Sequence, residues 1–155
     1  MRKICYISGT RADFGIMKST LQCINNDKKL DLRVIVTGMH LLKKYGNTWK
    51  EISASNLTIA GKVEVLLTGS EGHEMAIALG EQVIEFTKIL KTNNPDMLLL
   101  LGDRGEMLAG AIAALHLNIP IVHIHGGELS GTIDDSIRHS ISKLAHFHFT
   151  STKKS

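Results

Sequence analysis

Short runs of apolar residues alternate along the chain with segments in which apolar residues recur every three or four positions. The short runs have the length and the β-branched content of strands, and the periodic segments have the spacing of amphipathic helices. Strands that alternate with helices form a parallel sheet whose crossover helices pack on both faces. The pattern therefore predicts an α/β fold, a Rossmann-like three-layer α/β/α domain.

We predict six strands in a parallel sheet. The run at 97–101 is continuously apolar, as expected for a central strand that helices cover on both sides. The runs at 4–8 and 33–37 each end at a glycine, Gly9 and Gly38, which marks a turn. The remaining strands are predicted at 63–67, 120–124 and 147–150.

Four helices are predicted between these strands from the helical spacing of their apolar residues. The second is expected to start near Thr68 or Ser70, which are residue types that cap helices. The third carries small residues at 109–114, which would let its backbone approach the sheet. The residues expected to face the sheet are Phe14, Met17, Leu21 and Ile24 in the first helix, Met75, Leu79, Val83, Phe86 and Leu90 in the second, and Ile133, Ile137, Ile141 and Leu144 in the last.

The composition is that of one globular domain spanning residues 1–155. Hydrophobic residues make up 43% and charged residues 21%, which is too apolar for a disordered chain. The net charge of +3, without a long basic run, disfavours a nucleic-acid partner. The apolar start is too short for a signal peptide and no run reaches membrane-spanning length, so we expect no membrane partner and a cytoplasmic location.

Candidate chemistry follows the predicted strands, where ligands bind in open parallel sheets. The glycine-containing loops lie at 9–15, 102–106 and 123–131. The first has five residues between its glycines, which does not fit the GxGxxG motif of dinucleotide-binding proteins. Gly105 and Gly110 have the spacing of a phosphate-binding loop, but Ala111 and Ile112 stand where lysine and a hydroxyl residue are required. An NAD enzyme is therefore disfavoured, and a P-loop nucleotidase is excluded.

Several residues of these loops have both a structural and a functional interpretation. Arg11 either contacts a diphosphate or is a solvated turn residue. Asp103 either caps a helix or acts on a substrate, and Glu128 is either an exposed loop residue or a ligand contact. Thr132 is the expected N-cap of the last helix.

Two neighbouring aspartates near the start of the last helix have different predicted roles. Asp135 stands three residues after Thr132, which is the capping-box position and indicates a structural role. Asp134 precedes Arg138 by four residues, so the two share a helix face. This spacing fits either a surface ion pair or a carboxylate held in place for catalysis.

Histidines are concentrated in the last third of the chain. His123 and His125 alternate on one strand, a spacing that can bind a metal. Because no third ligand is evident, we favour hydrogen-bonding or acid–base roles and predict no metal site. The other histidines of this region are His139, His146 and His148, whereas His40, His73 and His116 are expected to be surface or loop residues.

The ordered set of motifs resembles one enzyme family. GTRADFG at 9–15, VTGMH at 36–40, GDR at 102–104 and HIHGGELSGTIDDSIRH at 123–139 closely resemble the hydrolysing UDP-N-acetylglucosamine 2-epimerases of sialic acid biosynthesis. The similarity spans essentially the whole chain. Relatives that act on UDP-N,N'-diacetylbacillosamine share these motifs.

This resemblance implies the first domain of a GT-B-like two-domain fold, with the UDP-sugar in the cleft and much of the UDP site on a carboxyl-terminal domain absent from this chain. It implies elimination of UDP from UDP-N-acetylglucosamine to a glycal, which is hydrated to N-acetylmannosamine. The expected partners are the UDP-sugar, the chain's own carboxyl-terminal domain and further copies in a dimer or higher oligomer. No cofactor is implied, and the fragment is expected to be inactive alone.

By motif position, Asp103 and Asp134 are implied to be catalytic carboxylates. Many relatives carry glutamate where His125 stands, so the third catalytic residue is either His125 or Glu128. Arg11, Arg138, Arg104, His123, Gly9 and Thr10 are implied to bind substrate. The alternatives are the same reaction on UDP-N,N'-diacetylbacillosamine, a GT-B glycosyltransferase domain, or a sugar-nucleotide-binding module without catalysis.

Overall fold

The structure is a computed structural model that describes residues 1–65 and 71–153. In this part of the chain six strands alternate with five α-helices and two short 3-10 helices. The strands are β1 (Arg2–Ser8), β2 (Leu30–Thr37), β3 (Thr58–Val63), β4 (Met97–Leu101), β5 (Ile121–Ile124) and β6 (Phe147–Phe149). The helices are α1 (Arg11–Asn26), α2 (Trp49–Ala54), α3 (Gly72–Asn93), α4 (Gly105–His116) and α5 (Ile133–Leu144).

All six strands are parallel and lie in the order β3-β2-β1-β4-β5-β6. The chain runs outward from β1 to one edge of the sheet and then from β4 to the other edge. The connections therefore diverge between β1 and β4, and such a switch point opens a crevice at the carboxyl ends of the strands. The three-layer fold predicted from the sequence is confirmed.

Each face of the sheet carries one apolar core. On one face α1 buries Phe14, Met17 and Leu21 against β1 and β2, and Ile24 packs half-buried beside them. On the other face α3, α4 and α5 pack against the sheet through residues such as Phe86. The apolar stripe predicted for the first helix is confirmed.

The α4 helix approaches the sheet closely at Gly110, where its buried side carries small residues. A Cβ atom added to Gly110 would collide with Cδ1 of Ile7 on β1. Ala109, Ala111 and Ala113 are also buried. The close approach predicted from the small residues at 109–114 is confirmed.

The third strand lies earlier than predicted. It spans Thr58–Val63 and pairs with β2 through an irregularity at Val34 and Ile35. The sequence predicts this strand at 63–67. Among the described residues its ladder with β2 ends at Val63, and positions 66 and 67 lie outside the described part of the chain. Thr68 and Ser70, expected to start the next helix, lie outside the described residues, and Glu71 is the N-cap of α3.

Two residues predicted to face the core are exposed. Met75 is 57% exposed and Ile133 is 78% exposed. Both lie in the first turn of their helices and line an open cavity that α3 and α5 share. The predicted inward stripes are therefore wrong at these two positions.

The elements between β2 and β3 were not predicted from the sequence. Two 3-10 helices (Gly38–Leu41 and Lys43–Tyr45) and α2 occupy this connection, and Ile52 of α2 is fully buried. Each element is too short to show a helical period. No helix in the described part of the chain is long and apolar enough to span a membrane.

Candidate active site

A cavity of about 320 Å³ opens at the carboxyl ends of β1, β4 and β5. We call it the first cavity. Its walls come from the loops that the sequence analysis singled out, and the predicted site residues that line it are Thr10, Asp103, Arg104, His125, Glu128 and Arg138. The structure thus brings together three of the four predicted catalytic residues.

Arg138 is buried on α5 and fastens the floor of the first cavity. Its guanidinium donates to the carboxylate of Asp103 and, at 2.5 Å, to the carbonyl oxygen of Glu128. It also donates to Oδ1 of Asp135 at 3.2 Å. Arginine suits this position because its planar fork presents several donors in fixed directions.

Of the two interpretations of the Asp134–Arg138 spacing, the surface ion pair does not form. Arg138 points inward to Asp103 and Asp135, whereas the exposed Asp134 accepts a hydrogen bond from Oγ1 of Thr132 at 3.1 Å. The spacing of four residues correctly puts the two on neighbouring turns. The pairing fails because the long arginine side chain reaches below the helix towards the loop after β4.

Asp135 holds the loop before α5 and does not complete a capping box. Thr132 is the N-cap, as predicted, and its hydroxyl accepts from the backbone N–H of Asp134 at 3.2 Å. The Asp135 carboxylate accepts from the backbone N–H groups of Ser130 and Gly131, each at 2.8 Å. The hydrogen bonds from Ser130, followed by that from Gly131, lower the pKa of Asp135.

His125 lines the first cavity with a left-handed backbone conformation. Its φ is +63°, and its N–H donates to the carbonyl oxygen of Phe149 at 2.8 Å. A residue other than glycine in this conformation stores about 1 kcal/mol of strain or more, and such strain collects at functional sites. Glu128 lines the same cavity, and its carboxylate accepts from the hydroxyl of Ser151.

His123 lies beneath the first cavity and not in its lining. Its Nε2 is 2.7 Å from the carbonyl oxygen of Gly102 and therefore carries the proton and donates it. The Ser142 hydroxyl then donates to Nδ1 at 3.0 Å. Burial lowers the pKa of His123 and keeps the ring neutral. The ring fixes Gly102, the residue before Asp103.

The loop after β1 is organised by Asp13, which the sequence analysis did not assign. Its buried carboxylate accepts from the backbone N–H groups of Gly9 at 3.0 Å and of Thr10 at 2.6 Å. It also accepts from three hydroxyls, those of Tyr6, Ser8 and Thr10. The spacing of Thr10 and Asp13 is that of a capping box, which is the sequence signal that could have identified it.

His40, predicted to be a surface or loop residue, is fully buried in the 3-10 helix that follows β2, so the prediction is wrong. The Ser8 hydroxyl donates to Asp13, so Nε2 of His40 must donate to Oγ of Ser8 at 2.9 Å. The Thr48 hydroxyl then donates to Nδ1 at 2.7 Å. Burial lowers the pKa of His40, which favours this neutral form.

Besides His123, two further predicted substrate contacts lie outside the lining of the first cavity. The side chain of Arg11 is 73% exposed and forms an ion pair with Glu51 at 3.1 Å. Gly9 is buried, and a Cβ atom there would lie 2.8 Å from Oε1 of Glu106. Gly9 therefore makes room for Glu106, while Arg11 extends over α2.

A second cavity, of about 430 Å³, lies between α3, α4 and α5. Asp134 lines this second cavity and not the first. Arg104 lines both, and its Nε donates to Oε1 of the buried Glu106 at 3.3 Å. The predicted catalytic carboxylates Asp103 and Asp134 therefore face two neighbouring cavities that share Arg104.

Comparison with known proteins connects this arrangement to one family. The family model described as UDP-N-acetylglucosamine 2-epimerase matches residues 22–155. The chain is 52% identical over 155 residues to the hydrolysing UDP-N,N'-diacetylbacillosamine 2-epimerase of Legionella pneumophila, covering 100% of this chain and 41% of that protein. It is 43% identical over 154 residues to the UDP-N-acetylglucosamine 2-epimerase of Neisseria meningitidis serogroup B, covering 99% of this chain and 40% of that protein.

Solved structures support the fold. The crystal structure of the UDP-GlcNAc 2-epimerase from Neisseria meningitidis bound to UDP-GlcNAc has a TM-score of 0.84 at 19% identity, over 98% of this chain and 40% of that chain. MurG of Acinetobacter baumannii has a TM-score of 0.66 at 12% identity, over 100% of this chain and 43% of that chain. The fold is thus that of the first domain of these GT-B-like structures.

The chain spans about 40% of the length of the curated relatives it matches. The family model nevertheless covers all but the first 21 residues of this chain. The motifs after β1, β4 and β5 that suggested the family also form the walls of the first cavity. The chain therefore belongs to the UDP-N-acetylglucosamine 2-epimerase family.

Proposed function

We propose that this chain is the sugar-binding domain of a hydrolysing UDP-sugar 2-epimerase whose substrate is UDP-N,N'-diacetylbacillosamine. The observation that carries the proposal is that, in a member of this family, Asp103 and His125 line one cavity and Asp134 lines the neighbouring cavity, with Arg104 in the lining of both. An elimination and hydration at neighbouring sugar carbons needs such a set of proton-transferring groups.

The choice of substrate departs from the expectation raised by the motifs, which favoured UDP-N-acetylglucosamine. The relative from Legionella pneumophila, named for the diacetylated sugar, is 52% identical, whereas the relative from Neisseria meningitidis, named for UDP-N-acetylglucosamine, is 43% identical. The higher identity supports the diacetylated substrate. UDP-N-acetylglucosamine remains the second candidate.

The proposed reaction has two steps. A base removes the C2 proton while the bond between C1 and the UDP oxygen breaks, which gives a glycal and UDP. Water then adds at C1, and an acid protonates C2 from the opposite face, so the product is the free sugar with inverted C2. Positive charge develops at C1 as the bond breaks, and a nearby carboxylate lowers the energy of that state.

We assign the charge-stabilising role to Asp103, because Arg138 and the His123–Gly102 hydrogen bond hold it at the cavity floor. We assign proton removal at C2 to Asp134, which is exposed on the first turn of α5. His123 is in this proposal a positioning residue that does not touch the sugar.

His125 is our choice for the third proton-transferring group. Its exposed ring lines the first cavity, and imidazole transfers protons readily near neutral pH. The Glu128 carboxylate is engaged by Ser151, and the carbonyl oxygen of Glu128 holds Arg138, which fits a structural role. Arg104 and Thr10 are the proposed substrate contacts in the lining of the first cavity.

The test uses the full-length protein, in which we propose that a second domain binds most of the UDP. Each UDP-sugar is incubated in deuterated water, and the released UDP and sugar are followed by NMR. Release of UDP together with a C2-epimerised sugar deuterated at C2 supports elimination and hydration. Release without deuterium at C2 indicates plain hydrolysis or transfer and overturns the proposal, as does the absence of turnover with both sugar nucleotides.

Variants at single positions separate the candidate roles. Asp103→Asn and His125→Gln are expected to lower kcat by about 100-fold or more, in the range of a lost acid–base group. Glu128→Gln is expected to reduce it much less. A module that only binds sugar nucleotides would release no UDP in any of these experiments.

A further inference from the structure

The second cavity has a different chemical character from the first. Its α3 and α5 walls are formed by apolar side chains, among them Met75, Ala76, Leu79 and Ile137. Polar side chains also line it, among them Arg104 and Glu106 at the start of α4 and Asp134 on α5. The cavity is therefore suited to a group with an apolar end and a polar attachment.

Gln82 adds one amide group to this apolar wall. It is 6% exposed, and its Nε2 donates to Oγ1 of Thr37 at a long 3.4 Å. Thr37 itself donates to the carbonyl oxygen of Val63 at 2.9 Å, so its hydroxyl can only accept from Gln82. This fixes the amide orientation and leaves the Gln82 carbonyl oxygen as an acceptor for an N–H group.

The second cavity lies next to the carboxylates that we assign to the reaction at C1 and C2. Asp103 lines the first cavity, Asp134 lines the second, and Arg104 lines both. A sugar whose C1 and C2 lie between the two carboxylates must extend the rest of its ring into one of the cavities. The cavity with the apolar walls matches a ring edge that carries methyl groups.

We infer that the second cavity binds the C4 acetamido group and the C6 methyl group of the substrate sugar and thereby selects it. N,N'-diacetylbacillosamine carries an acetamido group at C4 where N-acetylglucosamine carries a hydroxyl, and a methyl group at C6 where N-acetylglucosamine carries a hydroxymethyl group. The apolar walls contact the two methyl groups, and the Gln82 carbonyl accepts from the acetamido N–H. This inference rests on the proposed function.

The test fills the cavity from an exposed position. Ala76 is exposed on the first turns of α3, so Ala76→Leu adds bulk to the cavity without disturbing the core. In the full-length protein we expect the ratio of kcat/KM for the diacetylated substrate over UDP-N-acetylglucosamine to fall about 10-fold or more, the scale for a misplaced methylene group in a pocket. Ala54→Leu, exposed on α2 outside both cavities, is the matched control and is expected to leave the ratio unchanged.

A second variant addresses the amide. Gln82→Leu removes the proposed acceptor and is expected to lower the same ratio, because UDP-N-acetylglucosamine has no N–H group at C4. A wild-type enzyme that turns over the diacetylated substrate while both variants keep the wild-type ratio would overturn the inference and leave the proposed function standing. A wild-type enzyme that turns over neither sugar nucleotide would instead overturn the proposed function.

Discussion

Arg138 on α5 donates to the carboxylate of Asp103 after β4, across 35 residues of sequence. The same guanidinium holds the carbonyl oxygen of Glu128 in the loop after β5 and the carboxylate of Asp135. One buried side chain therefore fastens two strand-end loops to one helix.

We predict that Arg138→Met lowers the free energy of unfolding by about 1–3 kcal/mol, because it leaves a carboxylate and a carbonyl group without their donor. Urea denaturation of the chain measures this change. Arg33→Met is the control, because its pair with Asp31 has side chains that are 37% and 22% exposed and should contribute less than about 1 kcal/mol. If both variants lose the same free energy of unfolding, the hydrogen bonds of Arg138 stabilise the domain no more than the partly exposed ion pair of Arg33 and Asp31 does.

Five of the six strands, the parallel pairing and the site-bearing loops could be predicted because each depends on local apolar spacing or on the strand that a loop follows; the third strand was predicted too late in the chain. The ion-pair partners of Arg138 could not be predicted. Helical spacing put Asp134 beside it, but the inward reach of the side chain favours Asp135 and Asp103. Which carboxylates pair with Arg138 depends on how α5 packs over the sheet, and a local sequence pattern does not predict that packing.

The burial of His40 escaped prediction for a similar reason. A histidine that follows a strand end is expected to lie in a loop. Its burial is tolerated here because Ser8, Asp13 and Thr48 form a hydrogen-bond network around its ring. These partners come from three separate segments. Asp13, in contrast, was accessible from the sequence, because its capping-box spacing with Thr10 is local.

Asp134 and Asp135 provide a matched pair for separating chemistry from structure. We predict that Asp134→Asn lowers kcat of the full-length enzyme by about 100-fold or more, as for a lost general base, and leaves the melting temperature unchanged. Asp135→Asn should lower the melting temperature, because its carboxylate holds Ser130, Gly131 and Arg138. Steady-state kinetics and thermal melts on both variants make the comparison, and the reverse assignment of effects would contradict the proposed role of Asp134.

The stability of the domain should fall on mild acidification because of its buried histidines. Burial lowers the pKa of His123 from its ordinary value of 6.5, so the unfolded chain binds more protons just below that value. The contribution of the neutral His123 ring to the free energy of unfolding is complete above about pH 6.5. It is lost as the pH falls towards the folded-state pKa. His40 contributes with the same sign.

We therefore expect the melting temperature to decrease between about pH 7.5 and pH 5.5, and His123→Gln to weaken this dependence. Thermal melts across this range test the prediction. His116→Gln, at an exposed position, is the control and should leave the slope unchanged. A slope that His123→Gln does not alter would assign the pH dependence to other groups.

The close approach of α4 to the sheet predicts that alanine has opposite effects on stability at two helical glycines, Gly110 and Gly80. A Cβ atom at Gly110 would collide with Ile7 and lie 3.4 Å from Cδ2 of Leu100, whereas one at Gly80 on α3 would meet no atom within 4 Å. Both positions are inside helices, where alanine is intrinsically favoured by about 0.5–1 kcal/mol. Gly80→Ala should therefore stabilise the domain by that amount, whereas Gly110→Ala should destabilise it by about 1–3 kcal/mol through overpacking. Denaturation midpoints that rise in both variants would mean that α4 can move away from β1. The loop before α4, which carries Asp103, would then be held less firmly than we infer.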